Sequence, residues 1–198
     1  MRRREFLGRL GAGAGLCFPL VLRAGPRRAG AQAPASDRIT IGVIGNGGRG
    51  TWLAHDLLRK PSARIIAVCD VHAGRRMAAK QQVDTAYGGA DCAAYNDFRE
   101  LLARDDLDAV VISSPDHWHA LQTIAAARAG KDVYCEKPLA HSPMECRAMV
   151  KAARANNRVT QIGTQIHATD NYRNVAKIVQ SGILGKISVV RTQLALNE

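Results

Sequence analysis

The sequence predicts an α/β fold: a Rossmann-type parallel sheet with helices on both faces, followed by the first strand of a truncated second α+β domain. From Ile39 onward, short apolar runs alternate with segments of helical period, the pattern of a parallel sheet covered on both sides. The first run leads straight into a glycine-rich turn, Gly45-Asn46-Gly47-Gly48-Arg49-Gly50. The other polar clusters also follow strand-like runs, at the carboxyl ends where open parallel sheets bind their ligands.

Residues 1–33 stand outside that pattern. They hold a basic start, a weakly apolar stretch over 7–22 and a small-residue site at Ala31-Gln32-Ala33, the three parts of an export signal. Arg3-Arg4-Glu5-Phe6-Leu7, with glycines after it, resembles the twin-arginine signal. That resemblance implies export of the folded protein by the twin-arginine machinery, to the periplasm. Pro19 interrupts the apolar stretch, which is too short and glycine-rich for a membrane span. The segment also explains much of the formal charge of +11, because its seven arginines against Glu5 supply six of those charges. The remaining basic residues are scattered, so no nucleic-acid partner is indicated.

Residues 34–38 read as a polar linker and 39–165 as the sheet domain. Strands are expected at 39–44, 64–69, 109–113, 132–135 and 159–162. A helix starting near Asp116 is expected to bury Leu121, Ile124 and Ala125 and to stop at Gly130. Ser142-Pro143-Met144-Glu145 reads as a capping box with proline at the first helical position, ahead of an apolar face of Cys146, Met149, Val150 and Ala153. A last helix carrying Tyr172, Val175, Ala176 and Val179 closes at Gly182, and 187–196 reads as a strand whose partners belong to a second domain beginning at 166. Cys69, Cys92, Cys135 and Cys146 form no CxxC pair, and their settings point to buried free thiols.

The glycine-rich turn has the context that a dinucleotide site requires, with a strand before it and a helix after it. Gly45 permits the tight turn, Gly47 lets backbone approach a pyrophosphate and Gly50 lets the helix pack on the strand, while the helix N-terminus offers N–H groups to the anion. Asn46, Gly48 and Arg49 complete the turn. Asp70 lies 20 residues past Gly50 at the end of the second strand, where a carboxylate accepts from ribose hydroxyls and repels a 2′-phosphate. NAD is therefore the expected cofactor, with Arg75 and Arg76 leaving NADP open.

Two further clusters carry chemistry. In Ser113-Ser114-Pro115-Asp116-His117-Trp118-His119, the histidines two apart on a helix start diverge, so no shared metal is expected; His119 reads equally as a packing residue or a cofactor contact. In Tyr134-Cys135-Glu136-Lys137-Pro138, a lysine beside a carboxylate at a strand end can exchange a proton with a substrate hydroxyl.

The glycine-rich turn, the SPDHWH strand end, Glu136-Lys137-Pro138 and Gly163-Thr164-Gln165 together resemble the Gfo/Idh/MocA oxidoreductase family, from about Ile39 to the last residue. The resemblance implies a Rossmann domain followed by a domain on a mostly antiparallel sheet, and NAD- or NADP-dependent oxidation or reduction of sugars, inositols and related polyols. It implies that Gly45 to Gly50 and Asp70 hold the dinucleotide, that Ser113, Ser114, Pro115 and His119 line its nicotinamide half, and that Glu136 and Lys137 flank the hydride path. Lys137 is then the catalytic residue. Gln165 falls where family members approach the cofactor, and His167, Tyr172 and Arg173 fall where they approach the sugar. The usual oligomer interface belongs to the second domain, so the full-length protein is expected to be a homo-oligomer. Two other readings stay open. Some exported relatives cleave glycosidic bonds with tightly held NAD, by transient oxidation, elimination and re-reduction; alternatively, the chain is a non-catalytic, truncated dinucleotide-binding fragment.

Overall fold

The structure, a computed structural model, describes residues 37–165 and 169–191. The export-signal reading over 1–33, His167 and the end of the last expected strand lie outside the described residues. Among the described residues, no helix is long and apolar enough to cross a membrane.

Six strands alternate with helices. They are β1 (Ile39–Ile44), α1 (Gly48–Leu58), β2 (Ala63–Cys69), α2 (Ala73–Tyr87), β3 (Ala93–Tyr95), α3 (Phe98–Leu102), β4 (Ala109–Ile112), α4 (His119–Arg128), β5 (Asp132–Glu136), α5 (Pro143–Ala155), β6 (Thr160–Gly163) and α6 (Asp170–Gln180). A single 3-10 turn, Asp116–Trp118, leads into α4. The sheet order is β3-β2-β1-β4-β5-β6, with every pairing parallel. Strand order reverses between β1 and β4, and a crevice opens outside the strand ends at that point.

Strand alternation divides the core between the two faces of the sheet. Ile41, Val43, Ile65, Val68 and Val111 pack with Leu53, Ala54 and Val83 on one face. Ile44, Ala67, Cys69, Val110, Ile112 and Cys135 pack with Leu101, Ala126 and Met149 on the other. Ile65 and Val68 share a face although three apart, because the β1–β2 register steps from Ile41 opposite Ile65 to Gly42 opposite Ala67. Ile66 is the extra residue, and such a bulge reverses the parity of the strand beyond it.

The helix ends follow the sequence closely at α5. The Ser142 Oγ accepts from the Glu145 N–H at 3.3 Å, and the Glu145 carboxylate accepts from the Ser142 N–H at 3.0 Å, with Pro143 opening the helix. Met149 and Ala153 are buried, whereas Val150 is exposed. On α4, Ile124 and Ala125 pack against the core as expected, but Leu121 is 49% exposed, and the fully buried residues are His119, Ala120, Gln122, Thr123, Ala126 and Ala127. Small side chains let this helix lie close to β5 and α5, so the bulky residue turns outward. The last expected helix forms as α6, with Tyr172, Val175 and Val179 exposed. One correction concerns the end of the chain: 187–191 form no strand, since a ladder needs a partner strand and none is described beside it. Cys69, Cys92 and Cys135 are buried free thiols, and Cys146 is half-buried.

Candidate functional site

The crevice at the switch point is a cleft of about 550 Å³, a size that suits a small molecule or cofactor. Gly45, Gly47, Gly48 and Arg49 line one side, Asp70 to His72 and Arg75 the second, and Ser113, Ser114 and Pro115 the third. The glycines have separable causes. Gly45 has φ +86°, and a Cβ there would meet the Ser114 nitrogen at 2.4 Å. At Gly50 a Cβ would stand 1.9 Å from the Gly45 carbonyl oxygen and 2.7 Å from the Ser113 Oγ, so α1 can reach the β1 turn only without one. Gly47 differs: its Cβ would meet only the tip of Arg75, at 3.8 Å. Nothing among the described residues forbids a side chain at Gly47, which borders the open cleft.

The first turn of α1 holds no acidic residue, and no side chain caps Gly47. Those N–H groups, with the positive end of the helix dipole, suit an anionic pyrophosphate, and the bare Gly47 backbone leaves room for it. The fit to a dinucleotide extends to β2. Asp70 is buried at the cleft wall, its Oδ2 accepting from the Asn46 N–H at 2.7 Å and its Oδ1 from the His72 N–H at 2.8 Å. Each carboxylate oxygen keeps acceptor capacity for a ribose hydroxyl. Asn46 serves the turn rather than the cleft lining: its side chain is buried and donates to the Cys69 carbonyl at 2.8 Å. Arg75 and Arg76, equivalent in the sequence, separate here. Arg76 donates to the Asp70 carbonyl at 2.6 Å and to Asn96 at 3.0 Å, while Arg75 borders the cleft.

The ends of β4 and β5 meet through His119. Its Nδ1 lies 2.7 Å from the Pro138 carbonyl oxygen and its Nε2 2.9 Å from the Ser114 carbonyl oxygen, and the ring is almost fully buried. Both partners are acceptors, so a neutral ring donates to one at a time and an imidazolium donates to both. His119 does not line the cleft; it positions Ser114 and Pro138. The Ser113 Oγ donates to the Gly45 carbonyl at 2.7 Å, and the Ser114 Oγ to Gln122 at 2.7 Å.

Glu136 is the second buried carboxylate. Its Oε1 accepts from Arg49 Nε at 2.8 Å and from Gln165 at 2.6 Å, with the Tyr134 hydroxyl at 3.3 Å and the Arg49 Nη2 at 2.8 Å. Burial and the adjacent Glu136 charge push the Tyr134 phenol above its ordinary range. A Cβ on Gly163 would meet the Tyr134 hydroxyl at 2.7 Å and Glu136 Oε1 at 2.8 Å, so the cluster requires glycine in β6. The glycine-rich turn, Glu136 and Gln165 thus form one network. Lys137, next in the chain after a buried carboxylate, is exposed and followed by a cis peptide bond to Pro138. Tyr172 and Arg173 stand exposed on α6, outside the cleft lining.

Sequence reasoning missed the wall supplied by Asn96, Asp97, Phe98 and Arg99, where Phe98 meets Trp118 edge to face at 6.4 Å. These residues follow β3, whose three residues are too few for an alternation signal. The available cue was topological: a strand flanking β2 delivers its following loop to the Asp70 side.

Fold and site together define a dinucleotide-binding domain of the Rossmann class. Residues 39–164 match the model of the oxidoreductase family with an NAD-binding Rossmann fold, and the chain belongs to this family, Gfo/Idh/MocA. It is 29% identical to 2,7-anhydro-N-acetylneuraminate hydratase of Mediterraneibacter gnavus, over 75% of this chain and 38% of that protein. It is 32% identical to inositol 2-dehydrogenase of Salmonella typhimurium, over 75% of this chain and 43% of that protein. Among solved structures, scyllo-inositol dehydrogenase of Lactobacillus casei with bound NAD(H) and scyllo-inositol is similar with a TM-score of 0.68 and 27% identity, covering 76% of this chain and 43% of that one. The chain therefore spans about two fifths of the length of the curated relatives it matches.

Proposed function

We propose that this chain is the cofactor-binding part of an NAD-dependent dehydrogenase acting on a sugar or polyol. The observation that carries the reading is the juxtaposition, at neighbouring strand ends, of a cleft lined by the glycine-rich turn and Asp70 with the Glu136-Lys137 pair, one residue buried and anchored, the other exposed. NAD, when bound, accepts or returns the hydride. Gly47 and the α1 N-terminus hold the pyrophosphate, Asp70 accepts from ribose hydroxyls, and Ser113 to Pro115 flank the nicotinamide half. Arg49 and Gln165 fix Glu136, and with it the end of β5 that Lys137 follows. As the substrate carbon gives up hydride, the Lys137 Nζ, as the neutral amine, takes the hydroxyl proton and becomes the ammonium, which returns that proton in the reverse direction.

His167, Tyr172 and Arg173 are assigned to the sugar side on family resemblance. The same reading includes export of the folded protein through Arg3-Arg4, function in the periplasm and a homo-oligomer. The relative named as a hydratase supports a second reading, in which the cofactor returns unchanged within one cycle. The deciding experiment supplies a panel of inositols and sugars with NAD to the full-length protein and follows nicotinamide absorbance. Net NADH with a polyol supports the dehydrogenase; product without net NADH supports the second reading. Lys137→Ala is expected to lower kcat sharply with NAD affinity within a few fold, and an unchanged kcat removes Lys137 from the chemistry.

A further inference from the structure

The loops that follow β4 and β5 bring together three donors that the cofactor site does not use. We propose that Asp116, His117 and His141 bind one first-row divalent transition metal ion, with Zn²⁺ the reference ion. Asp116 and His117 open the 3-10 turn after β4, and His141 lies between the end of β5 at Glu136 and the start of α5 at Pro143. Because β4 and β5 are parallel neighbours, both loops leave the same edge of the sheet side by side.

The spacing is that of a coordination shell. His141 Nε2 lies 3.1 Å from Asp116 Oδ1 and His117 Nδ1 lies 3.9 Å from it, and one donor atom from each residue falls within 4.8 Å of the other two. A tetrahedral ion with bonds near 2.0–2.1 Å sets its ligand atoms about 3.3 Å apart, between the two separations observed here. The three side chains are 42% to 56% exposed, so their tips are free to close the remaining gap, which between the two histidines is at most about 1.5 Å. The Asp116 Oδ1 also accepts from the His117 N–H at 3.0 Å, which orients the carboxylate as an outer-shell bond orients a metal ligand.

The donor set selects the class of ion. Two imidazoles and a carboxylate suit zinc and its neighbours, whereas calcium and magnesium require oxygen ligands. Water completes the shell at an exposed site. His119 cannot join, since both of its ring nitrogens already face backbone carbonyls. The ligand pair is therefore not His117 with His119, two apart in the sequence, but His117 with His141 from the neighbouring loop. None of the three ligands lines the cofactor cleft. A bound ion would join the loop that carries Ser113 to Pro115 to the one that carries Glu136 to Pro138, outside the His119 to Pro138 bond.

The test uses the full chain without an affinity tag, stripped with chelator and dialysed. Zn²⁺ is titrated by calorimetry, and Co²⁺ by its visible ligand-field bands. The expected result is one equivalent bound, with intense four-coordinate Co²⁺ bands, and with affinity falling roughly tenfold or more in His117→Ala, His141→Ala and Asp116→Asn. His55→Ala, an exposed histidine on α1, should bind as the parent does. Thermal midpoint should rise with Zn²⁺ in the parent and in His55→Ala alone. Equal binding by all four variants, or weak Co²⁺ spectra of six-coordinate hydrated type, means an adventitious ion only and overturns the proposal.

Discussion

Alanine at Gly47 and alanine at Gly50 should damage different properties, though the two glycines stand three residues apart in one turn. At Gly50 the new methyl would lie 1.9 Å from the Gly45 carbonyl oxygen. Ordinary contact is about 3.4 Å, so α1 must retreat from the β1 turn by on the order of 1 Å, and overpacking of this kind costs roughly 1–3 kcal/mol. At Gly47 the backbone is extended, with φ −71° and ψ −169°, a conformation open to alanine, and the methyl would meet only Arg75 at 3.8 Å. Apo stability should therefore stay within about 0.5 kcal/mol of the parent, a typical range for substitutions that disturb no contact. The same methyl enters the space into which the pyrophosphate would fit. If it costs the bound state a comparable 1–3 kcal/mol, NAD affinity falls about 5- to 150-fold. Urea melts of the apo chain and calorimetric NAD titrations measure the two effects separately. Parental NAD affinity in Gly47→Ala would refute a pyrophosphate seated on that backbone, and an unaltered melt for Gly50→Ala would refute the packing argument.

Asp70→Ala should weaken NAD binding and narrow the preference over NADP, and it should also lower stability by about 1–3 kcal/mol because the Asn46 and His72 N–H groups lose their acceptor; NADP binding equal to NAD in the parent would count against the Asp70 reading. Burial, with the Asp70 charge adding to it, pushes the Cys69 thiol up to about 12, and burial pushes Cys92 and Cys135 up to about 11. Of the described cysteines, only Cys146 should react quickly with Ellman's reagent in native buffer, the other three appearing on unfolding. The Lys80 hydrogen bond, and then the Cys92 N–H, hold the Asp84 carboxyl below its ordinary value. A group depressed on folding stabilises above its unfolded pKa of about 3.9 and loses that contribution as pH falls through the folded value. Acid melts of Asp84→Asn should accordingly lose less stability between pH 5 and pH 2, to order of magnitude, than those of the parent, and identical acid curves would remove Asp84 from the account.

The parts of this molecule legible in the sequence are those where one residue type is demanded by local geometry. The turn from β1 into α1 could be read because Gly45 and Gly50 are forced by contacts within a few residues of strand and helix, and the α5 cap because its partners are three apart. Apolar runs gave β1, β2, β4 and β5 to within a residue or so at their ends. The face of α4 was legible only in part, at Ile124 and Ala125, because the rest of its packing rests on alanines and Thr123, which carry little hydrophobic signal, while Leu121 has a strong one and points outward. His119 escaped in a different way. Its role depends on two carbonyls, five residues back and nineteen ahead, and no spacing rule connects them.

The same distinction explains why the cofactor half of the site is better defined than the substrate half. Each buried carboxylate is held by groups that exist before any ligand arrives: Asp70 by two backbone N–H groups, Glu136 by Arg49 and Gln165. Arg49 belongs to the glycine-rich turn and Glu136 to β5, so the ion pair spans from β1 across β4 and couples the pyrophosphate turn to the strand end that presents Lys137. Arg49 is more than a third exposed, so the pair adds little to stability by itself. Its effect is geometric, because a preset Glu136 spares the ligand the entropy of ordering the turn and the strand end together. Among the described residues, no comparable frame surrounds Tyr172 and Arg173, which stand exposed on α6, and a ligand is oriented by convergent polar groups held at fixed distances. The preset part of the site is therefore the part the Rossmann domain holds by itself: the glycine-rich turn, Asp70 and Glu136.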